Sequence, residues 1–249
     1  MLEVKHVSKF YRNGSFFSQT KQQILFDISM NVDKNESVGI IGESGSGKST
    51  LSRQILGIEK PDAGEVLYYG KNVWNREVRA GHISVVFQDY YTSINPYMTV
   101  EQAVLEPVLR TKKLSKGERT KIVSDLLEHV GLDSDYRTKY AHELSGGQAQ
   151  RVCIARAIST EPEFIVLDEA TSSLDASVQY QILMLLKQLK KEKKLSYLFI
   201  THDIQAAAFL CERILFFSGG RIIEEISTEN LSEVKNKYSR KLLQATLSI

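Results

Sequence analysis

The stretch GESGSGKST, residues 42–50, constrains this chain more than any other. It follows the apolar run SVGII and precedes LSRQILGI, whose apolar spacing is helical. A strand turning through a glycine-rich loop into a helix is the P-loop pattern, and the pattern has meaning only in that context. Gly42, Gly45 and Gly47 allow the backbone to wrap closely. The N–H groups of Glu43, Ser44, Ser46 and their neighbours can then line a phosphate, reinforced by the positive end of the helix. Lys48 would reach the β- and γ-phosphates as a point charge, the Ser49 hydroxyl would ligate Mg²⁺, and Thr50 completes the motif.

A second acidic element follows much later. EFIVLDEA, residues 163–170, reads as a buried strand ending in two carboxylates. Asp168 at its end would hold Mg²⁺, directly or through water, and Glu169 could orient and deprotonate an attacking water. A P-loop with this pair implies nucleoside triphosphate hydrolysis or phosphoryl transfer and nothing narrower.

Between and around these motifs, short β-rich runs alternate with longer amphipathic stretches, as in a parallel α/β sheet. Strands are expected at 38–41, 83–87, 164–167, 197–200 and 214–217. LEVKHVSKFY and ILFDISMNV alternate apolar and polar residues, as half-exposed antiparallel strands do. From about 88 to 160 the β signal vanishes. VEQAVLEPVLR and RTKIVSDLLEHVGL carry helical spacing, with Ile122, Val123, Leu126, Leu127 and Val130 in one stripe. The fold class expected is α/β: a P-loop core, an N-terminal antiparallel β-subdomain and an inserted α-helical subdomain. As a single domain it divides into a nucleotide-binding core (1–88 and 161–225), a helical subdomain (89–160) and a charged helical tail (226–249).

Composition excludes several classes. The chain has 249 residues, 42% hydrophobic and 25% charged, an ordinary globular balance. A formal net charge of +2 argues against nucleic acid as a general partner. Two cysteines, Cys153 and Cys211, fit a reducing compartment rather than a disulfide scaffold. The N-terminal stretch lacks a signal-peptide core, and every apolar run falls far short of the roughly 20 residues of a membrane helix. A soluble protein is expected, with any part in transport supplied by partners. His6, His82, His129 and His142 show no ligand spacing, and KQLKKEKK, 187–194, reads as the solvated end of a helix.

ELSGGQAQR, 143–151, is a second candidate anion site, since a serine and two glycines open a helix there. LSGGQ precedes EFIVLDEA, SSLD (172–175) and ITHD (200–203) follow it, and Gln88 ends ISVVFQ. In this order the motifs resemble the nucleotide-binding subunits of ABC transporters over nearly the whole chain. The resemblance implies that two ATPase domains face head to tail, so that Leu144, Ser145, Gly146, Gly147 and Gln148 would grip the γ-phosphate of ATP held by the other domain's P-loop. It implies adenine stacking by Tyr11, contact of Gln88 with Mg²⁺ or water, a switch role for His202 and communication across the dimer by Asp175. ATP and Mg²⁺ are the implied cofactors. With each of these positions intact, an active ATPase half is expected.

FQDYYTSINPYMTV, QRVCIARAI, TSSLDASVQYQIL and NKYSRKLLQATL further resemble the ATPases of peptide and nickel importers. That branch implies import of peptides or of nickel, cobalt or zinc chelates. The implied partners are a second ATPase subunit (a paralogue or this chain itself), two membrane permeases and an extracellular substrate-binding protein, with the chain peripheral at the cytoplasmic face of the membrane. Tyr90 stands where the branch has proline and Tyr97 where it has an arginine-like residue. Both fall where a permease's coupling helix would dock. The cysteine-bearing C-terminal extension of several relatives is lacking, so neither an iron–sulfur cluster nor a regulatory domain is expected. The competing readings are an exporter ATPase and a non-transport ABC ATPase acting on DNA or ribosomes. The second lacks support because no heptad array separates the P-loop from LSGGQ and only one cassette is present.

Overall fold

The computed structural model describes residues 1–13 and 20–247, so the last two positions of the tail expected over 226–249 lie outside the described residues. The chain forms two compact units, Met1–Ala80 with Ser196–Ile249, and Gly81–Leu195.

The first unit begins with β1 (Leu2–Asn13), β2 (Thr20–Val32), β3 (Ser37–Ile41), α1 (Lys48–Ile55), β4 (Ala63–Tyr68), β5 (Lys71–Asn72) and the single turn α2 (Arg76–Arg79). An antiparallel sheet has the order β2-β1-β4-β5. Leu2, Val4 and Val7 are all buried although their spacing breaks a period of two. A bulge resolves this: register shifts between Val4 and Val7, where His6 takes φ 51°. The extra residue returns Val7 to the core face.

The chain then enters the second unit: β6 (Ile83–Phe87), α3 (Tyr90–Ser93), α4 (Val100–Leu109), α5 (Lys116–His129), α6 (Gly146–Ile158), β7 (Phe164–Asp168) and α7 (Ala176–Lys193). β6 and β7 pair in parallel with Phe87 opposite Asp168. Among the described residues no strand falls between β6 and β7, as the loss of β signal predicts. Thr99, Ser115 and Ser145 each open a helix with a capping box, closed by Gln102, Glu118 and Gln148. Such caps contribute about 1 kcal/mol each. The expected stripe on α5 is confirmed at Val123, Leu127 and Val130, which are buried, while Ile122 and Leu126 are half-buried.

Back in the first unit come β8 (Ser196–Thr201), α8 (Ile204–Leu210), β9 (Arg213–Ser218), β10 (Arg221–Ser227) and α9 (Lys237–Leu247). β8, β3 and β9 run parallel, and β10 turns back antiparallel on β9. Every residue of β3 and β8 is buried. Central parallel strands read as unbroken apolar runs for this reason, and each buried Ile, Leu or Phe contributes roughly 1.5–3 kcal/mol. β4, the two-residue β5 and β10 are additions to the expected strands. RIIEEIS carries two acidic residues, and its pairing comes from the turn at Gly219 and Gly220, with φ 53° and 74°. The charged tail is therefore β10 up to Ser227, a 3₁₀ stretch Thr228–Glu233, and then α9.

Candidate functional site

In the first unit the site is built around the β3–α1 connection. Gly42 lies so close to the strand β9 that a Cβ there would fall 2.0 Å from the Phe217 carbonyl oxygen. Gly45 and Gly47 have φ 77° and 108°, a backbone region other residues enter at a cost. The Gly220 N–H donates to the Ser46 carbonyl at 2.9 Å, which fixes the crest of the loop. Lys48 is 4% exposed, and its ammonium donates to the carbonyls of Gly42 at 2.7 Å and Glu43 at 2.9 Å. The cation is thus held over the loop rather than spread into solvent. α1 carries no side-chain N-cap and no acidic residue in its first turn. By contrast, Thr99, Ser115, Ser145, Asp175 and Asp203 cap the helices they precede. An uncapped helix start beside a buried cation suits an anion.

Three further residues belong to this unit. Ile41 pairs with Thr201, so Gly42 and His202 leave their strands side by side. Asp203, next to His202, caps α8 by accepting the Ala206 N–H at 3.0 Å. Tyr11 on β1 donates its hydroxyl to Glu59 at 2.7 Å. Burial, then the Glu59 carboxylate, raise its pKa, against hydrogen bonds with Thr50 and Arg53 of α1. Sequence reasoning missed Glu59, and it missed Tyr238 of α9, whose hydroxyl accepts the Glu43 N–H at 3.1 Å.

The second unit gathers the other predicted residues. Because Phe87 pairs with Asp168, Gln88 and Glu169 follow at adjacent strand ends. Asp168 is 8% exposed. Glu169 takes φ 50°, unusual for a non-glycine residue and characteristic of functional sites. Its carbonyl accepts the Ser172 hydroxyl at 2.9 Å and the Ser172 N–H at 3.2 Å, which braces that conformation. Gln150, not singled out in the sequence, donates to the Ala170 carbonyl at 2.6 Å. Asp175 caps α7 through the Val178 N–H at 3.0 Å.

LSGGQ forms the start of α6. Leu144 is buried and Ser145 exposed. Gln148 accepts the Ser145 N–H at 2.9 Å and donates its amide to Tyr136 at 2.8 Å. Cys153, further along α6, is buried, which pushes its pKa up to about 12 and disfavours the reactive thiolate. Tyr97 is 87% exposed, whereas Tyr90 is half-buried.

Thus the P-loop, His202 and Tyr11 are gathered in one unit, and Gln88, Asp168, Glu169, LSGGQ and Asp175 in the other.

The chain is 45% identical to the metal-staphylopine import system ATP-binding protein CntF of Staphylococcus aureus, over 100% of both chains. It is 38% identical to the oligopeptide transport ATP-binding protein OppF of Bacillus subtilis, over 98% of this chain and 82% of that one. A dimeric ATP-binding cassette in a post-hydrolysis state, bound to ADP and Pi, superposes with a TM-score of 0.82 at 32% identity, over 92% of this chain and 99% of that one. The structure of cbiO1 from Clostridium perfringens, part of the ABC transporter complex cbiONQ, gives 0.78 at 27% identity, over 98% of each chain. Residues 25–172 match the family described as ABC transporter, and with these relatives spanning the whole sequence the chain belongs to the ABC transporter family.

Proposed function

We propose that this chain is the ATP-hydrolysing subunit of a membrane importer for peptides or metal chelates. The observation that carries the ATPase reading is the start of α1, where a glycine loop, a buried Lys48 and an uncapped helix end converge.

The residues divide the chemistry. The P-loop N–H groups and Lys48 bind the triphosphate, and Tyr11 stacks on the adenine. Ser49, Gln88 and Asp168 are oxygen donors of the hard type that Mg²⁺ prefers. When bound, that ion offsets the phosphate charge. Glu169 accepts a proton as water attacks the γ-phosphorus. The bond from the γ-phosphorus to the β–γ bridging oxygen breaks, and ADP and phosphate leave. His202 holds the γ-phosphate oxygens in line. Ser145 to Gln148 serve the nucleotide of an opposing ATPase subunit, and Asp175 relays between the two. The dimeric relative bound to ADP and Pi supports this pairing.

CntF and OppF, named as import and transport proteins, support a peptide or metal-chelate cargo. Among the described residues no helix is long and apolar enough to cross a membrane. In this reading permeases hold the chain at the cytoplasmic face, with a substrate-binding protein outside. In the second unit a cleft of about 530 Å³ is lined by Phe87, Asp89, Thr92, Pro107 and Arg156, a surface suited to a permease helix. Purification of the tagged chain from membranes tests the reading. Recovery with permeases is expected, and recovery with ribosomes or DNA would refute transport.

A further inference from the structure

Gly146 is the first residue of α6. Unlike Gly45 and Gly47, it has no left-handed φ, so its conformation alone does not demand glycine. Space does. A Cβ at Gly146 would lie 2.6 Å from the Tyr90 hydroxyl oxygen and 3.2 Å from its Cζ. The next glycine, Gly147, is crowded from another direction, since its Cβ would meet Val178 Cγ1 of α7 at 2.7 Å. The segment that follows Gln88 is also tied to α6 further along. Arg156 donates to the Ser93 carbonyl at 2.7 Å and pairs with Glu106 of α4 at 2.6 Å.

We propose that Tyr90 is a positioning residue whose phenol tip occupies the side-chain space left by Gly146, so that displacement of the segment after Gln88 moves the start of α6. The inference rests on the ATPase reading above, and it assigns the glycine at 146 to a contact within the chain. Tyr90 is half-buried, its hydroxyl oxygen is the atom in closest approach, and Cζ follows directly behind it. A close-packed contact of this kind transmits small shifts because packed groups have little free space in which to absorb them. Since α3 borders the cleft proposed for the permease, occupation of that cleft would be felt at the α6 N–H groups through Tyr90.

The test is a double-mutant cycle in the assembled transporter. Gly146→Ala should lower ATP turnover about tenfold with the KM for ATP unchanged, and Gly146→Ala with Tyr90→Ala should regain at least about threefold of that loss. Tyr90→Phe alone, which loses the hydroxyl but keeps the Cζ edge of the contact, should stay closer to the parental rate than Tyr90→Ala. Tyr90→Ala alone should lower kcat without changing KM, a split that a purely structural defect in the P-loop unit would not give. A double variant as slow as Gly146→Ala, or a Tyr90→Ala enzyme indistinguishable from the parent, would overturn the proposal. If Gly146→Ala fails to fold, the comparison of Tyr90→Ala with Tyr90→Phe decides alone. Failure of the parental protein to hydrolyse ATP would instead refute the underlying ATPase reading.

Discussion

The Glu43 N–H donates to the Tyr238 hydroxyl at 3.1 Å, so α9 reaches the first turn of the P-loop across 195 positions of sequence. Glu43 is exposed, which keeps the contribution small. Tyr238→Phe should weaken ATP binding by only a few-fold, about 0.5–1 kcal/mol for one hydrogen bond. Titration with a fluorescent nucleotide measures it. An unchanged affinity would place α9 outside the nucleotide site.

Glu169 is held in left-handed backbone directly after the buried Asp168. Glu169→Gln should bind ATP with parental affinity while turnover falls by about a hundredfold or more, the usual loss when a general base is removed. Retention of the parental rate would transfer the base role to another group.

Lys48 is buried among the carbonyls of its own loop. Lys48→Ala removes the cation without altering the glycines that shape the loop. Nucleotide affinity itself should fall, as equilibrium titration would show. Full affinity in that variant would remove the P-loop assignment.

Asp62 sets a pH dependence beside Tyr11. The Phe10 N–H, donating at 2.8 Å, holds its carboxyl below the ordinary 3.8, against some burial and with help from Lys9. A depressed folded value means the stabilisation is present above the unfolded value and lost as pH falls through the folded one. Screening at this exposed group keeps the effect small. Thermal melts should show the parental protein losing stability relative to Asp62→Asn as pH drops below about 4. Parallel pH profiles for the two would contradict this.

What the sequence made legible was local. GESGSGKST, EFIVLDEA and LSGGQ each act through contiguous backbone, so their strand ends and helix starts could be placed from spacing alone, and the structure puts them there. β3 and β8 stood out because full burial demands unbroken apolar residues. β10 did not, since its pairing depends on a turn at two glycines and on a partner strand rather than on its own alternation. Tyr90 against Gly146, Gln150 on the Ala170 carbonyl and Tyr238 on Glu43 are contacts between distant segments. No pattern in the intervening residues encodes them. The bulge at His6 was hidden for a related reason: it shows only as a break in alternation until the register of β1 against β2 is known.

The central claim is that LSGGQ of one subunit completes the nucleotide site of another, and mixing two inactive chains tests it most directly. Lys48→Ala lacks a working P-loop, and Ser145→Arg blocks the start of α6. Each variant alone should fail to hydrolyse ATP. Combined, they should recover turnover, because one of the two sites in a mixed pair then has an intact P-loop facing an intact Ser145. A mixture as silent as its components, under conditions where the parental protein turns over, would contradict the account.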